Sequence, residues 1–277
     1  MTYDVLGPGP LDYLPCRYGS SRLLFRGPRR SLRSPYIAFV GSNETYGKFV
    51  KRPFPNLVED AVGMTCANFG QLNAGIDAFS HDPFVLDAAS NAEVAVIQVL
   101  GAPNMTNRFY SVHPRRNDRF LEAAPLLKTI YREVDFADFH FNKHMLTALM
   151  SVSADRFGAV RQELQEAWVA RMRLLLKQIN GKSVLVWVAH HAAAEADTAA
   201  QESLGRDPLF VTEEMLAKVA PHATELVEVV ISEEARAFGT DGMLFSELEA
   251  AAAAEMINPM AHREVSESLL KVLERLL

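Results

Sequence analysis

Five short apolar runs constrain this chain more than any other feature. Tyr36–Val40 stops at Gly41, Met64–Phe69 at Gly70 and Val94–Leu100 at Gly101, and Ser183–Ala189 and Glu225–Ile231 are the fourth and fifth. Short runs with little polar alternation are the pattern of strands buried on both faces of a parallel sheet. Helical segments separate them. One is expected from about Pro55 to Gly63, one over 83–91 with Asp82 as cap, and one over 212–220 with Thr212 as cap. Residues 154–180 predict a long helix, because Leu164, Ala167, Trp168, Met172, Leu175 and Ile179 recur near the helical period. Residues 246–256 and 261–277 also read as helices, and 102–150 as irregular and helical. Strands alternating with helices imply an α/β fold: three layers, with a five-stranded, mostly parallel sheet and helices on both faces, flavodoxin-like or SGNH-like.

Length and charge narrow the setting. The 277 residues suffice for one large core without disulfide or metal staples. Residues 35–277 are expected to form that single α/β domain. Residues 1–34 differ. They are rich in Gly and Pro and carry Arg17, Arg22, Arg26, Arg29, Arg30 and Arg33 against Asp4 and Asp12. An extended arm is expected there, wrapping the domain or a second copy in a homo-oligomer, or else offering arginines to an anion. A net charge of −6 argues against nucleic acid as a partner. The two cysteines, Cys16 and Cys66, form no CxxC pair. No secretory signal or membrane-length apolar stretch is visible, so a cytoplasmic protein with no membrane partner is expected.

In open parallel sheets, ligands sit beyond the carboxyl ends of the strands. Here those loops read GSNETYG (41–47), GQLNAG (70–75), GAPNMTN (101–107) and His190-His191. Glycine lets a backbone approach a ligand closely and present its N–H. Three glycine-led loops, each with Ser or Asn following, point to a polar pocket. The segment after the third run also carries Asn107, Arg108, Arg115, Arg116 and Arg119. Guanidinium forks suit carboxylate, phosphate and sulfate, although ion pairs with local acids would produce the same pattern. His140 and His144 lie four apart with no evident third ligand, so no metal is expected, and GSNETYG is too poor in Gly and Lys for a phosphate loop. No cofactor is expected.

The strand-end blocks resemble those of the SGNH (GDSL-type) esterases and acetylhydrolases. Gly41-Ser42-Asn43-Glu44-Thr45-Tyr46-Gly47 is similar to the first block, Asn68-Phe69-Gly70 to the second, and Gly101-Ala102-Pro103-Asn104 to the third with one residue inserted. Pro259-Met260-Ala261-His262 stands where the family carries its histidine. The resemblance implies an oxyanion hole from the Gly70 N–H and Asn104, with His262 as base. The nucleophile position holds Asn43, with Ser42 before it, and Pro259 stands at the family's aspartate. An amide is no acyl nucleophile, so Ser42 would have to serve, or Asn43 would orient a substrate or water. Glu44 or Asp241 would have to replace the missing carboxylate. The implied function is an ester or acyl-group hydrolase or acyltransferase acting on a small anionic substrate, held by Glu44, Asn107, Arg108, Arg115, Arg116 and Arg119. The alternatives are a catalytically inactive binding protein on the same fold, or a sulfo- or phospho-group transferase using the arginines. As a whole, the chain also resembles an uncharacterised alphaproteobacterial protein family.

Overall fold

The computed structural model describes residues 11–196 and 203–277. The first ten residues of the expected arm, Asp4 among them, lie outside the described residues. The first half of the chain runs β1 (Tyr36–Gly41), α1 (Asn43–Tyr46), α2 (Phe54–Val62), β2 (Thr65–Gly70), α3 (Ile76–Ser80), α4 (Pro83–Ser90) and β3 (Val94–Gln98). A hairpin follows, β4 (Tyr110–His113) and β5 (Arg116–Ala123), then α5 (Pro125–Ile130), α6 (Asn142–Val152) and α7 (Ala154–Gln178). The chain ends with β6 (Ser183–Ala189), α8 (Glu213–Val219), β7 (Glu225–Val230), α9 (Glu233–Ala237), α10 (Ala250–Ala254) and α11 (Pro259–Leu276).

The five apolar runs form one parallel sheet in the order β2-β1-β3-β6-β7. All six residues of β1 and all seven of β6 are buried, because helices cover both faces. Ile37, Phe39, Val94, Val96 and Val184 pack with α2 and α11. Ala38, Val40, Ile97, Leu185 and Trp187 pack with α3, α4, α7 and α8. The chain winds outward from β1 in both directions, so the carboxyl ends of β1 and β3 flank the topological switch point, where such sheets bind ligands.

Sequence signals set the helix ends. The Asp82 carboxylate accepts from the N–H groups of Phe84 and Val85 at the start of α4. Thr212 accepts from Met215 N–H at the start of α8, and Ser153 from Arg156 N–H at the start of α7. The region 246–256 is a 3-10 turn over Glu247–Glu249 followed by the short α10.

Residues 102–150 differ from expectation by containing the β4–β5 hairpin. Register shifts on either side of Val112 leave Asn117, Phe120 and Ala123 as the buried residues of β5. That threefold spacing imitates a helix, because bulges break the strand's alternation. The described part of the arm packs on its own domain. Cys16 and Phe25 exchange backbone hydrogen bonds, and Tyr18 and Phe25 sink beside Phe69 with ring centroids 5.2 Å away in both cases. Among the described residues no helix is long and apolar enough to cross a membrane.

Trp168 joins α7 to the loop after β3. It is fully buried, and its indole N–H donates to Leu100 O at 2.6 Å. Replacing it with Ala should lower the unfolding free energy by about 3–5 kcal/mol, since a large cavity and an orphaned carbonyl result, and urea titration of both proteins measures this.

Candidate functional site

The turn after β1 is built around a single carboxamide. Gln98, the last residue of β3, is buried, and its Oε1 accepts from Ser42 N–H at 3.0 Å, Thr45 Oγ1 at 2.7 Å and Thr45 N–H at 3.3 Å. Its Nε2 donates to Glu44 Oε2 at 2.5 Å. Gly41 permits this approach, since a Cβ there would stand 2.1 Å from Thr45 Oγ1 and 2.5 Å from Gln98 Oε1. Burial pushes the Glu44 carboxyl above the ordinary carboxylate range, the Gln98 bond opposes the shift, and the nearby charge of Asp207 adds to it.

Beside this turn lies a chain of asparagines. Asn43 Nδ2 donates to Asn73 Oδ1 at 3.1 Å, and Asn73 N–H returns a bond to Asn43 Oδ1 at 2.9 Å. Asn104 Nδ2 donates to Asn73 O at 3.2 Å, while Asn104 Oδ1 accepts from Asn142 Nδ2 at 3.1 Å. Asn142 also donates to Asn117 O at 2.6 Å, and Asn117 Oδ1 accepts from the N–H groups of Gly75 and Ala78 at the start of α3. Gly75 is required here, because a Cβ would fall 1.6 Å from Asn104 O. The loops after β1, β2 and β3 are thereby tied together by amides. Each of the Asn43 and Asn104 carboxamides commits one N–H to Asn73 and has a second.

Ser42, Asn43, Glu44 and Asn104 thus come to one place. Asn73 and Gln98, which the sequence reading did not single out, join them. Gln98 had left a trace, as the one polar residue in the run 94–100. Gly70 lies at this end of the sheet, but its N–H donates to Asn68 Oδ1 at 2.8 Å, so that proton is committed and is not presented to an oxyanion.

His262 has a different setting from that of the expected base. It is 1% exposed, stacks on Phe54 at 5.8 Å, and its Nδ1 accepts from Phe54 N–H at 3.1 Å. The ring proton is therefore on Nε2, which has no hydrogen-bond partner among the described residues. No described contact joins it to Ser42 or Asn43. Burial, with a smaller contribution from the charge of Arg26, pulls its pKa down to about 3. A ring so held caps the start of α2 as a neutral acceptor.

The arginines also part company. Arg108 pairs with Glu163 of α7, the guanidinium of Arg119 lies 4.2 Å from the Phe141 ring centroid, and Arg116 opens β5 exposed to solvent. Arg115 lines a cavity between the hairpin, the arm and the α3–α4 junction. Asn107 folds on its own loop, accepting from Phe109 and Tyr110 N–H and donating to Met105 O. His191 is buried with both ring nitrogens against carbonyls, those of Ala192 and Asp207, while His190 is exposed. His144 rests against Phe139, and no group of three or more metal-ligating side chains forms among the described residues.

The histidine makes a measurable prediction. Unfolded, His262 titrates near 6.5; folded, it stays neutral down to about 3. Between these values the unfolded chain binds the extra proton. Its contribution to stability is therefore complete above about pH 6.5 and falls as the pH drops toward about 3, by up to about 1.4 kcal/mol per pH unit. Urea unfolding at a series of pH values should show this slope in the native chain and a flatter one in His262→Gln.

Comparison with solved structures finds low-identity likenesses. A Lactobacillus plantarum protein is 13% identical over 87% of this chain and 97% of its own, with a TM-score of 0.41. A family two carbohydrate esterase from Clostridium thermocellum is 10% identical over 92% of this chain and 68% of its own, with a TM-score of 0.42. A carbohydrate esterase family 2 enzyme of Corynascus thermopiles gives 10% identity over 90% and 69%, with a TM-score of 0.40. No curated protein matches the sequence. The family model that matches residues 1–277 is decisive: the chain belongs to the family described as a domain of unknown function (DUF6473).

Proposed function

We propose that this chain is an SGNH-type α/β protein whose strand-end site recognises a small polar molecule through amides, in place of attack by a serine–histidine pair. The observation that carries this reading is the hydrogen-bonded bridge Asn43–Asn73–Asn104 across the loops after β1, β2 and β3. Two carboxamides with second N–H groups, beside a carboxyl held toward its neutral form at Glu44, suit carbonyl, hydroxyl and ester oxygens of a ligand. A nucleophilic mechanism needs a base within about 2.6–3.2 Å of the attacking oxygen, somewhat more in an unliganded site. The buried His262 ring is occupied with Phe54 instead.

A second reading rests on Ser42. It precedes α1 at the strand end, is partly exposed, and its side chain does not cap the helix. That placement favours an acyl hydrolase or acyltransferase in which Ser42 is the nucleophile.

One experiment separates the two. Under the recognition reading, a fluorophosphonate probe leaves the native chain unlabelled, and hydrolysis of p-nitrophenyl acetate is no faster than in Ser42→Ala. A thermal-shift screen of neutral polyhydroxy and O-acetyl compounds should then yield stabilising ligands whose effect disappears in Asn43→Ala and Asn104→Ala. Covalent labelling lost in Ser42→Ala would establish the hydrolase instead.

A further inference from the structure

A cavity of about 780 Å³ lies between the N-terminal arm, the α3–α4 junction and the tip of the β4–β5 hairpin. Its volume falls within the range of small-molecule sites, about 300–1,000 Å³. Arg17 and Arg22 line it from the arm, Arg115 and His113 from the hairpin, and His81 and Asp82 from the α3–α4 junction.

The charge of this lining is unusual for a protein of net charge −6. Several other arginines have acidic partners, among them Arg30 with Glu59, Arg108 with Glu163, Arg156 with Glu133 and Arg171 with Asp77. Arg17, Arg22 and Arg115 have none among the described residues. The one carboxylate in the lining is already committed. Asp82 Oδ2 accepts from Ser21 Oγ at 2.6 Å, and Oδ1 accepts from the first N–H groups of α4. His113 adds a donor, because its Nδ1 accepts from the N–H groups of Arg115 and Arg116 at 3.2 Å each, which puts the ring proton on Nε2.

The supports of these groups are fixed. Tyr18, between the two arm residues, is buried and its hydroxyl accepts from Arg30 N–H at 2.7 Å. Asn117 ties the hairpin to the start of α3. Guanidinium groups carried on a braced frame match a tetrahedral oxyanion, which accepts several parallel N–H donors.

We propose that this cavity binds the phosphate or sulfate group of a small molecule, held by Arg17, Arg22 and Arg115 with His113 as a further donor. This site does not depend on the chemistry at the asparagine bridge. The hairpin serves both places, giving His113 and Arg115 to the cavity and Asn117 to the bridge.

Isothermal titration of the full chain with inorganic phosphate, pyrophosphate and sulfate tests the proposal. Saturable binding of at least one anion is expected, weakened about tenfold by Arg22→Ala or Arg115→Ala and abolished in the double variant. Tighter binding of pyrophosphate or phosphate assigns a phosphate ester, and tighter binding of sulfate assigns a sulfate ester. These arginines are exposed, so the variants should keep the native far-UV circular dichroism and melting temperature. Arg33→Ala, a surface arginine outside the lining, is the control. No saturation up to about 10 mM for any of the three, or equal weakening by Arg33→Ala, overturns the proposal.

Discussion

The strand-end architecture depends on the carboxamide of Gln98. Parallel pairing sets β3 beside β1, with Ile97 level with Val40. The next residue of β3 therefore reaches the backbone just beyond β1. A buried polar group must find partners, and the Gln98 oxygen satisfies the Ser42 and Thr45 donors while its nitrogen binds Glu44. A glutamate here would set a second carboxylate against Glu44, and a leucine would leave two backbone N–H groups without their acceptor. The position of Asn43 at the start of α1 follows from this turn, and the Asn73–Asn104 bridge follows from Asn43.

At the strand ends, amide side chains make most of the hydrogen bonds between the loops. The resemblance to esterases is carried by loops that do lie together at one end of the sheet. Yet the Gly70 N–H is committed to Asn68, and the histidine is committed to Phe54. The remaining titratable group at the bridge, Glu44, is raised by burial. The two commitments withhold the donor and the base that the esterase resemblance implies for attacking a carbonyl.

Much of the fold was legible because sheet strands covered on both faces must be apolar at nearly every position. The helix caps at Asp82 and Thr212 are local features, and local features survive in a sequence. The hairpin was not legible, because bulges gave β5 a helical spacing of buried residues. The site was half legible. Strand-end loops announced Ser42, Asn43 and Asn104, but the partners that define their roles are distant in sequence: Gln98 is 56 residues from Ser42, Asn73 is 30 from Asn43, and Asn142 is 38 from Asn104. His262 shows the converse. Its motif position was visible, while the Phe54 N–H that claims its ring lies 208 residues away.

Arg26 carries a consequence for how the chain acquires its structure. The buried guanidinium has no carboxylate partner among the described residues. It donates instead to four carbonyls, those of Tyr46, Gly47, Val50 and Lys51, at 3.1, 2.5, 2.7 and 2.9 Å. Those carbonyls end α1 and follow it, so the arm braces the far side of the turn that holds Asn43. During synthesis, Arg26 leaves the ribosome some twenty residues before its acceptors. Until they arrive, a permanently charged group is better solvated in water than in the nascent core. Arg26 therefore docks only once α1 and the turn after it exist, although it is synthesised before them.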